Sequence, residues 1–510
     1  MKRYINMLLI VTIIAIVAIV ACNKKLNVTD QNNPTVESYF KTASELENGV
    51  NGAYSSMRAG NLVGREWFFT HDMRGSETNS GGAQLEAARA ELLKQNAPSS
   101  SNSVMTSVWN GTYQMINRAN QVISSAVSVT DNPAGVAVAV GEAKFLRAWA
   151  YFELVSMWGP VPLYLQPVVS ITGYKGQSPA ADVYDSIIVD LTDAVAKLPT
   201  AAAHGHLTSD AASFLLGRVQ MQNGNYAAAK TALLTLVGKY SLMPHFSDNF
   251  DGDVSGSHGT WAAGHEYNAE SIFEVSFVDK GDDNFNWGYT GEGPTADMSI
   301  MRSQEYGIVW GNVIPSDAIL NEFEAGDPRY KYTFYEPGDS IVRFPDPKAS
   351  PADLPKVLTD LGMNVATSNH NGVIKKRVYR KYSVLDWTDD GFHPDGINQR
   401  IFRYADALLM LAECEAEVGT IPQAQAYINQ VRDRPDVMMP HVTLTTKADA
   451  IGAVMHERAV ELAGEEVNNI DMLRWRAKGY YPSIRPDPKP TQAALFPIPA
   501  AESSSNPLIK

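Results

Sequence analysis

Cysteine is nearly missing from this chain: 510 residues contain two, Cys22 and Cys414. Cys22 closes an N-terminal apolar run, so no disulfide framework is available and a packed core has to supply stability without covalent cross-links. Blocks of basic residues are missing as well. The formal net charge is −14, and positive residues cluster no further than triples such as Lys375-Lys376-Arg377. Nucleic acid, whose binding depends on a basic surface that releases counterions, is disfavoured as a partner. Recognisable enzyme signatures are also lacking. His265-Glu266 continues as Tyr-Asn-Ala and not as a zinc-protease helix, Gly252 to Gly256 has the wrong spacing for a nucleophile elbow, and no P-loop or dinucleotide fingerprint occurs. With 45% apolar and 19% charged residues, the chain is globular and not disordered.

The front end is the one long greasy stretch. Met1-Lys2-Arg3 is a cationic start, and Met7 to Ala21 is apolar apart from Thr12. That run is short of the roughly 20 residues a membrane span wants, and it reads as an export signal over residues 1–21. Ile19-Val20-Ala21-Cys22 resembles the bacterial lipobox, which implies acylation of Cys22 and a membrane tether. The other thiol, Cys414, lies in an apolar-rich helical pattern with no nearby histidine to activate it, and is expected to be a buried structural residue.

Beyond the signal, residues 22–510 read as one mainly α domain. Its helical hairpins span about 48–243 and 400–480, and a loop-rich insert containing short strands covers about 244–400. GEAKFLRAWAYFELVSMWG places Phe145, Ala148, Trp149, Phe152 and Val155 on one helical face and stops at Gly159-Pro160. DVYDSIIVDLTDAVAKLP is a second amphipathic helix, with Val183, Ile187, Leu191 and Val195 in register and Asp182 placed to cap it. Two αα-hairpins follow the same plan. One turns at Gly224 and the other at Gly419, where Ala424 and Ala426 are expected to pack after the turn. This resembles tetratricopeptide units, which bury their faces only by stacking. The insert is rich in Gly, Asp, Asn and Pro. Asp251-Gly252-Asp253 and the Asp279–Asp283 run have some character of calcium ligands without the spacing of a calcium loop, so they read as solvated turns and no cofactor is expected.

Several blocks in order resemble the SusD/RagB outer-membrane lipoproteins of Bacteroidetes: the lipobox, RAWAYFELVSMWGPVPLY, DVYDSIIVDLTDAVAKLP, the hairpin from Asp210 to Pro244, FRYADALLMLAECEAEVG, HERAVELAGEE and LFPIPAAESSSNP. Glu466-Val467-Asn468-Asn469 stands where the family usually has Gly and then an Arg-aromatic pair. The resemblance implies a SusD-like fold of tetratricopeptide helices, attachment to the outer membrane at the cell surface, and a non-catalytic role. It also implies docking onto a SusC-like TonB-dependent transporter as a lid that delivers oligo- or polysaccharide.

Sugar rings present flat C–H faces that rest on aromatic side chains, while their hydroxyls want carboxylate, amide or guanidinium partners. The candidates are Trp67, Asp72, Arg74 and Asn79 in GREWFFTHDMRGSETN, with Phe68 and His71 close by, and Trp287, Tyr289 and Trp310 in the insert, with Trp261 and Tyr306 as further rings. Trp149, Trp158 and Trp475 sit at helical positions and are expected in the core. The alternatives are the same transporter role with peptides or another nutrient as cargo, a surface glycosidase, or a helical-repeat scaffold without a small ligand.

Overall fold

The computed structural model describes residues 39–509 apart from 83–84, 95, 171, 253–254, 257–258, 261–263, 279–298, 308–309, 342–355, 358–364 and 384–395. The signal segment, Cys22, Asp253, Trp261, the Asp279–Asp283 run, Trp287 and Tyr289 lie outside the described residues.

Several helices begin where the sequence supplies side-chain acceptors for the free amides of a first turn. α1 (Ala43–Arg58) opens with a reciprocal cap: Thr42 Oγ1 accepts from the Glu45 amide, and Glu45 Oε2 accepts from the Thr42 amide at 2.8 Å. After a short buried helix, α2 (Glu66–Asp72), come the two longest, α3 (Ser103–Ala126) and α4 (Pro133–Trp158). Asn102 and Asn132 cap them, and Pro133 takes the first position of α4. α5 (Ala180–Lys197), α6 (Ser209–Gln222) and α7 (Tyr226–Leu234) follow. Beyond the insert lie α8 (Tyr404–Val418), α9 (Ile421–Arg432), α10 (Lys447–Leu462) and α11 (Asn468–Ala477).

From α3 to α7 each helix packs on the next, and α7 packs on α8 across the intervening insert, so the hairpins form one stack. A single apolar core runs through both helical stretches and includes Trp149, Trp158, Phe214, Phe402 and Leu408. Trp475 is buried too, in a satellite cluster with Ile451 and Met455. Cys414 is fully buried, and burial pushes its thiol far up, as expected of an inert structural residue.

Three local expectations need correction. α4 is not one-sided: every residue from Phe145 to Trp158 is buried, as in a helix at the centre of a stack, and its charged members are paired inside. Asp182 lies within the first turn of α5, after Pro179 has already taken the capping position, so it contributes charge to the turn and no cap bond. Ala424 packs in the interior as expected, but Ala426 faces solvent. Gly224 does hold the left-handed turn between α6 and α7, at φ +82°.

The insert is joined to the helices in two ways. β2 (Ser271–Val275) pairs antiparallel with β6 (Gln399–Arg403), which runs straight into α8. Around that junction lies a web of buried charges. Glu461 of α10 accepts from Arg403 and Arg434, each at 2.7 Å, and from Arg329 at 3.0 Å, while Glu270 accepts from Arg403 at 2.8 Å and from Arg434 at 2.6 Å. Buried ions are tolerated when each is paired and hydrogen-bonded this thoroughly. Despite the cost of burial, the surrounding guanidinium groups hold the Glu461 carboxyl far below the usual carboxylate range. The other strands that matter below are β1 (Thr78–Ser80), β3 (Val313–Pro315), β4 (Thr367–His370) and β5 (Val373–Lys376).

Candidate ligand-binding site

The GREWFFTHDMRG segment folds inward. All of α2 is buried, including Trp67 at 5% exposure and Asp72 at 2%. The Trp67 indole donates to Glu153 Oε2 at 3.0 Å, and His71 Nε2 meets the same oxygen at 2.7 Å. Asp72 lies 3.7 Å from the Arg302 guanidinium, and burial pushes its carboxyl up against that attraction. Arg74 spends its guanidinium on backbone carbonyls, donating to Lys94 at 2.9 Å and Ala493 at 2.6 Å. Burial and the neighbouring Arg476 charge lower it to about 10. Trp67, Asp72 and Arg74, expected as ligand contacts, are therefore packing residues. An indole this deeply buried has no face free for a sugar, and a buried guanidinium held by backbone carbonyls is not presented to a ligand. Phe68 and Tyr306 are interior as well, with Tyr306 beneath the Arg302 guanidinium.

Asn79 and Trp310 are placed differently. β1 pairs antiparallel with β3, setting Asn79 opposite Ile314 and Ser80 opposite Val313. The ladder continues past the strand ends: the Gly81 amide donates to the Asn312 carbonyl at 2.7 Å, and the Ala366 amide donates to the Gly81 carbonyl at 2.5 Å. Gly81 is obligatory here, because a Cβ on it would stand 1.5 Å from the Gly311 carbonyl oxygen. Three segments distant in sequence thus meet at one edge: 78–82, 310–315 and 365–370. Asn79 and Thr367 are exposed there, while Ser80 and Trp310 are half-buried, with Trp310 resting part of its indole on the core.

The edge is anchored from below. Arg65 donates through Nε to Glu305 Oε1 at 2.8 Å, and Glu305 Oε2 accepts from Asn312 Nδ2 at 2.7 Å. This chain ties the loop carrying Trp310 to the start of α2. Sequence reasoning missed Arg65, Glu305 and Asn312, and no local pattern marks them, because Arg65 and Glu305 are 240 residues apart. It also missed the role of Glu466, which adopts φ +60°, pairs with Arg302 and accepts from Gln399 at 3.0 Å.

Of the acidic turns, Asp251 faces His265 Nδ1 at 2.7 Å while Asp248 lies 3.7 Å from Nε2. Burial opposes protonation of this imidazole, but the hydrogen bond and charge of Asp251 outweigh it and raise the histidine. Donor atoms of Asp248, Asp251 and His265 thus lie within 4.8 Å of one another, and the two carboxylates favour the protonated imidazole.

Comparison with known proteins fits this architecture. Residues 269–510 match the sequence model of the SusD family, and residues 26–221 match a second model described as starch-binding and associating with the outer membrane. The chain belongs to the SusD/RagB family. Among its relatives is SusD-like protein P2 of Formosa agariphila, 25% identical over 494 residues that cover 92% of each chain. Among solved structures, a laminarin-binding SusD-like protein superposes with a TM-score of 0.71 at 21% identity, covering 92% of this chain and 99% of its own. Surface glycan-binding protein A from Bacteroides fluxus gives 0.70 at 21% identity, covering 91% and 97%. These likenesses establish the SusD fold.

Proposed function

We propose that this SusD/RagB protein is a non-catalytic glycan-binding lipoprotein of the outer-membrane surface, tethered through Cys22. In this reading it captures oligo- or polysaccharide and passes it to a SusC-like TonB-dependent transporter. The observation that carries the reading is the edge on which half-buried Trp310 and exposed Asn79 are held by one ladder. A ring fixed against the core with part of its face open can stack on a pyranose at little entropic cost, and an exposed amide both donates to and accepts from hydroxyls. Trp287 and Tyr289, which lie outside the described residues, add further rings in this proposal. Support for a carbohydrate cargo comes from fold relatives that are named for binding laminarin and surface glycans. The outer-membrane setting is supported by the description of the family model that matches residues 26–221.

Titration of the purified protein against laminarin, starch and xylan tests the cargo. Trp310→Ala is expected to weaken binding about tenfold, the scale of one aromatic stacking contact. Absence of binding to every glycan on a broad array removes the carbohydrate assignment. Mild detergent extraction tests the partner, with a barrel transporter expected to co-purify. Cys22→Ser should release the protein from the membrane fraction, and membrane-bound acylated protein from that variant would refute the tether.

A further inference from the structure

A second cleft, of about 590 Å³, shares no lining residue with that edge. It lies between α3, the segment 163–174 that follows α4, and the short helix Ala500–Ser505. Its size falls within the usual range for small-molecule sites. Tyr113 and Tyr164 line it with ring centroids 6.1 Å apart at 82°, so two rings form a corner. Both rings are fixed: Tyr113 donates its hydroxyl hydrogen to the Pro162 carbonyl at 2.8 Å, and the Tyr164 hydroxyl accepts from the Lys175 amide at 3.0 Å. Asn120 stiffens the same wall by donating to the carbonyls of Tyr164 at 2.9 Å and Gln166 at 3.1 Å. At the rim, Tyr174 is 40% exposed and Val169 is 94% exposed, large apolar groups left in water beside an open cleft.

The polar groups narrow the ligand class. Asn117 also lines the cleft, and its Oδ1 has no hydrogen-bond partner within the protein. An apolar occupant would leave it unsatisfied. The one carboxylate of the lining is Glu502, which accepts from Asn506 at 2.9 Å through Oε1. No guanidinium lines the cleft, so an anionic occupant would face a carboxylate without a compensating fork of donors. What fits is a neutral molecule with apolar ring faces and hydroxyl donors around its edge.

We propose that this cleft is a second carbohydrate subsite, in which a neutral oligosaccharide stacks on Tyr113 and Tyr174 and hydrogen-bonds the Asn117 side chain. The choice of saccharide rests on the function proposed above, whereas the cleft geometry is independent of it. Two sites on one subunit would raise retention of a long glycan by effective concentration, without new contacts at the first.

Detergent-solubilised full-length protein is titrated with laminarihexaose, cellohexaose and maltohexaose, and crystals are soaked in each. Tyr174→Ala and Asn117→Ala are expected to weaken one class of sites roughly fivefold, while Tyr174→Phe, which keeps the ring, leaves it intact. Trp310→Ala should leave cleft occupancy unchanged in the soaked crystals. Binding that depends on Trp310 alone, with the cleft empty, overturns the subsite and spares the proposed function. Cleft occupancy without any Trp310-dependent binding supports the subsite and removes the loop-edge site. If neither these sugars nor any glycan on the broad array binds, both fail. Tyr174 is exposed, so loss of binding in its alanine variant does not reflect loss of the fold.

Discussion

The indole nitrogen of Trp67 stands 3.0 Å from Oε2 of Glu153, and both side chains are buried. That bond turns a tryptophan flanked by polar, sugar-friendly residues into a link between α2 and α4. Trp67→Ala is therefore expected to lower stability by about 3–5 kcal/mol, the usual cost of emptying a large core site. Glycan affinity, measured well below the melting temperature, should stay at the wild-type value. A selective loss of affinity at wild-type stability would return Trp67 to the binding surface.

Gly81 offers the complementary case. Its replacement by alanine drives a methyl group into the Gly311 carbonyl and must open the ladder that carries Trp310 and Asn79. Glycan binding should weaken at least as much as in Trp310→Ala. Far-UV circular dichroism should stay unchanged, because the helices lie outside this ladder.

Arg147 and Asp190 form a two-pronged pair across α4 and α5, Nε to Oδ2 and Nη2 to Oδ1 at 2.7 Å each, nearly sealed from water. Removing one partner leaves an uncompensated charge in the stack. Asp190→Ala should cost about 3–5 kcal/mol, whereas Arg147→Met combined with Asp190→Leu should recover much of that loss. Urea unfolding midpoints of the three proteins decide it, and a double variant no better than the single would argue against charge burial as the cause.

His456 of α10 sits between two carboxylates, with Nδ1 2.9 Å from Glu322 and Nε2 3.1 Å from Glu324, while Arg485 holds the other face of Glu322 at 2.6 Å. Burial opposes both charges. The hydrogen bonds nevertheless raise His456 above 6.5 and hold Glu322 at about 2. A histidine raised in the folded state binds its proton more tightly there than in the unfolded chain. Its contribution is complete below about pH 6.5 and fades as pH rises through the elevated value. The lowered Glu322 contributes above its ordinary 4.5 and loses that contribution as pH falls towards 2. His456→Gln should flatten the decline in stability above neutrality and leave most of the acid limb. An unchanged slope between pH 6.5 and 8 would refute the assignment.

Much of the scaffold was legible in the chain because periodicity and punctuation are local. The helix ending at Gly159-Pro160, the hairpin turning at Gly224, the inert Cys414 and the core tryptophans Trp149, Trp158 and Trp475 all follow from spacing within a few turns. The candidate site was less legible. Composition placed Trp67, Asp72 and Arg74 beside Asn79 as equals, yet a short buried helix took the first two inward while a strand left Asn79 at the surface. Aromatic rings serve packing and sugar stacking with the same chemistry, so residue type alone does not separate the two roles.

By itself the sequence determined a helical stack and its order of hairpins, because each depends on residues close together along the chain. Only the tertiary structure decided which rings face water. Glu153, Glu305, Gly311 and Glu461 act on partners far away in sequence, and burial is a property of what those distant segments bring to a side chain.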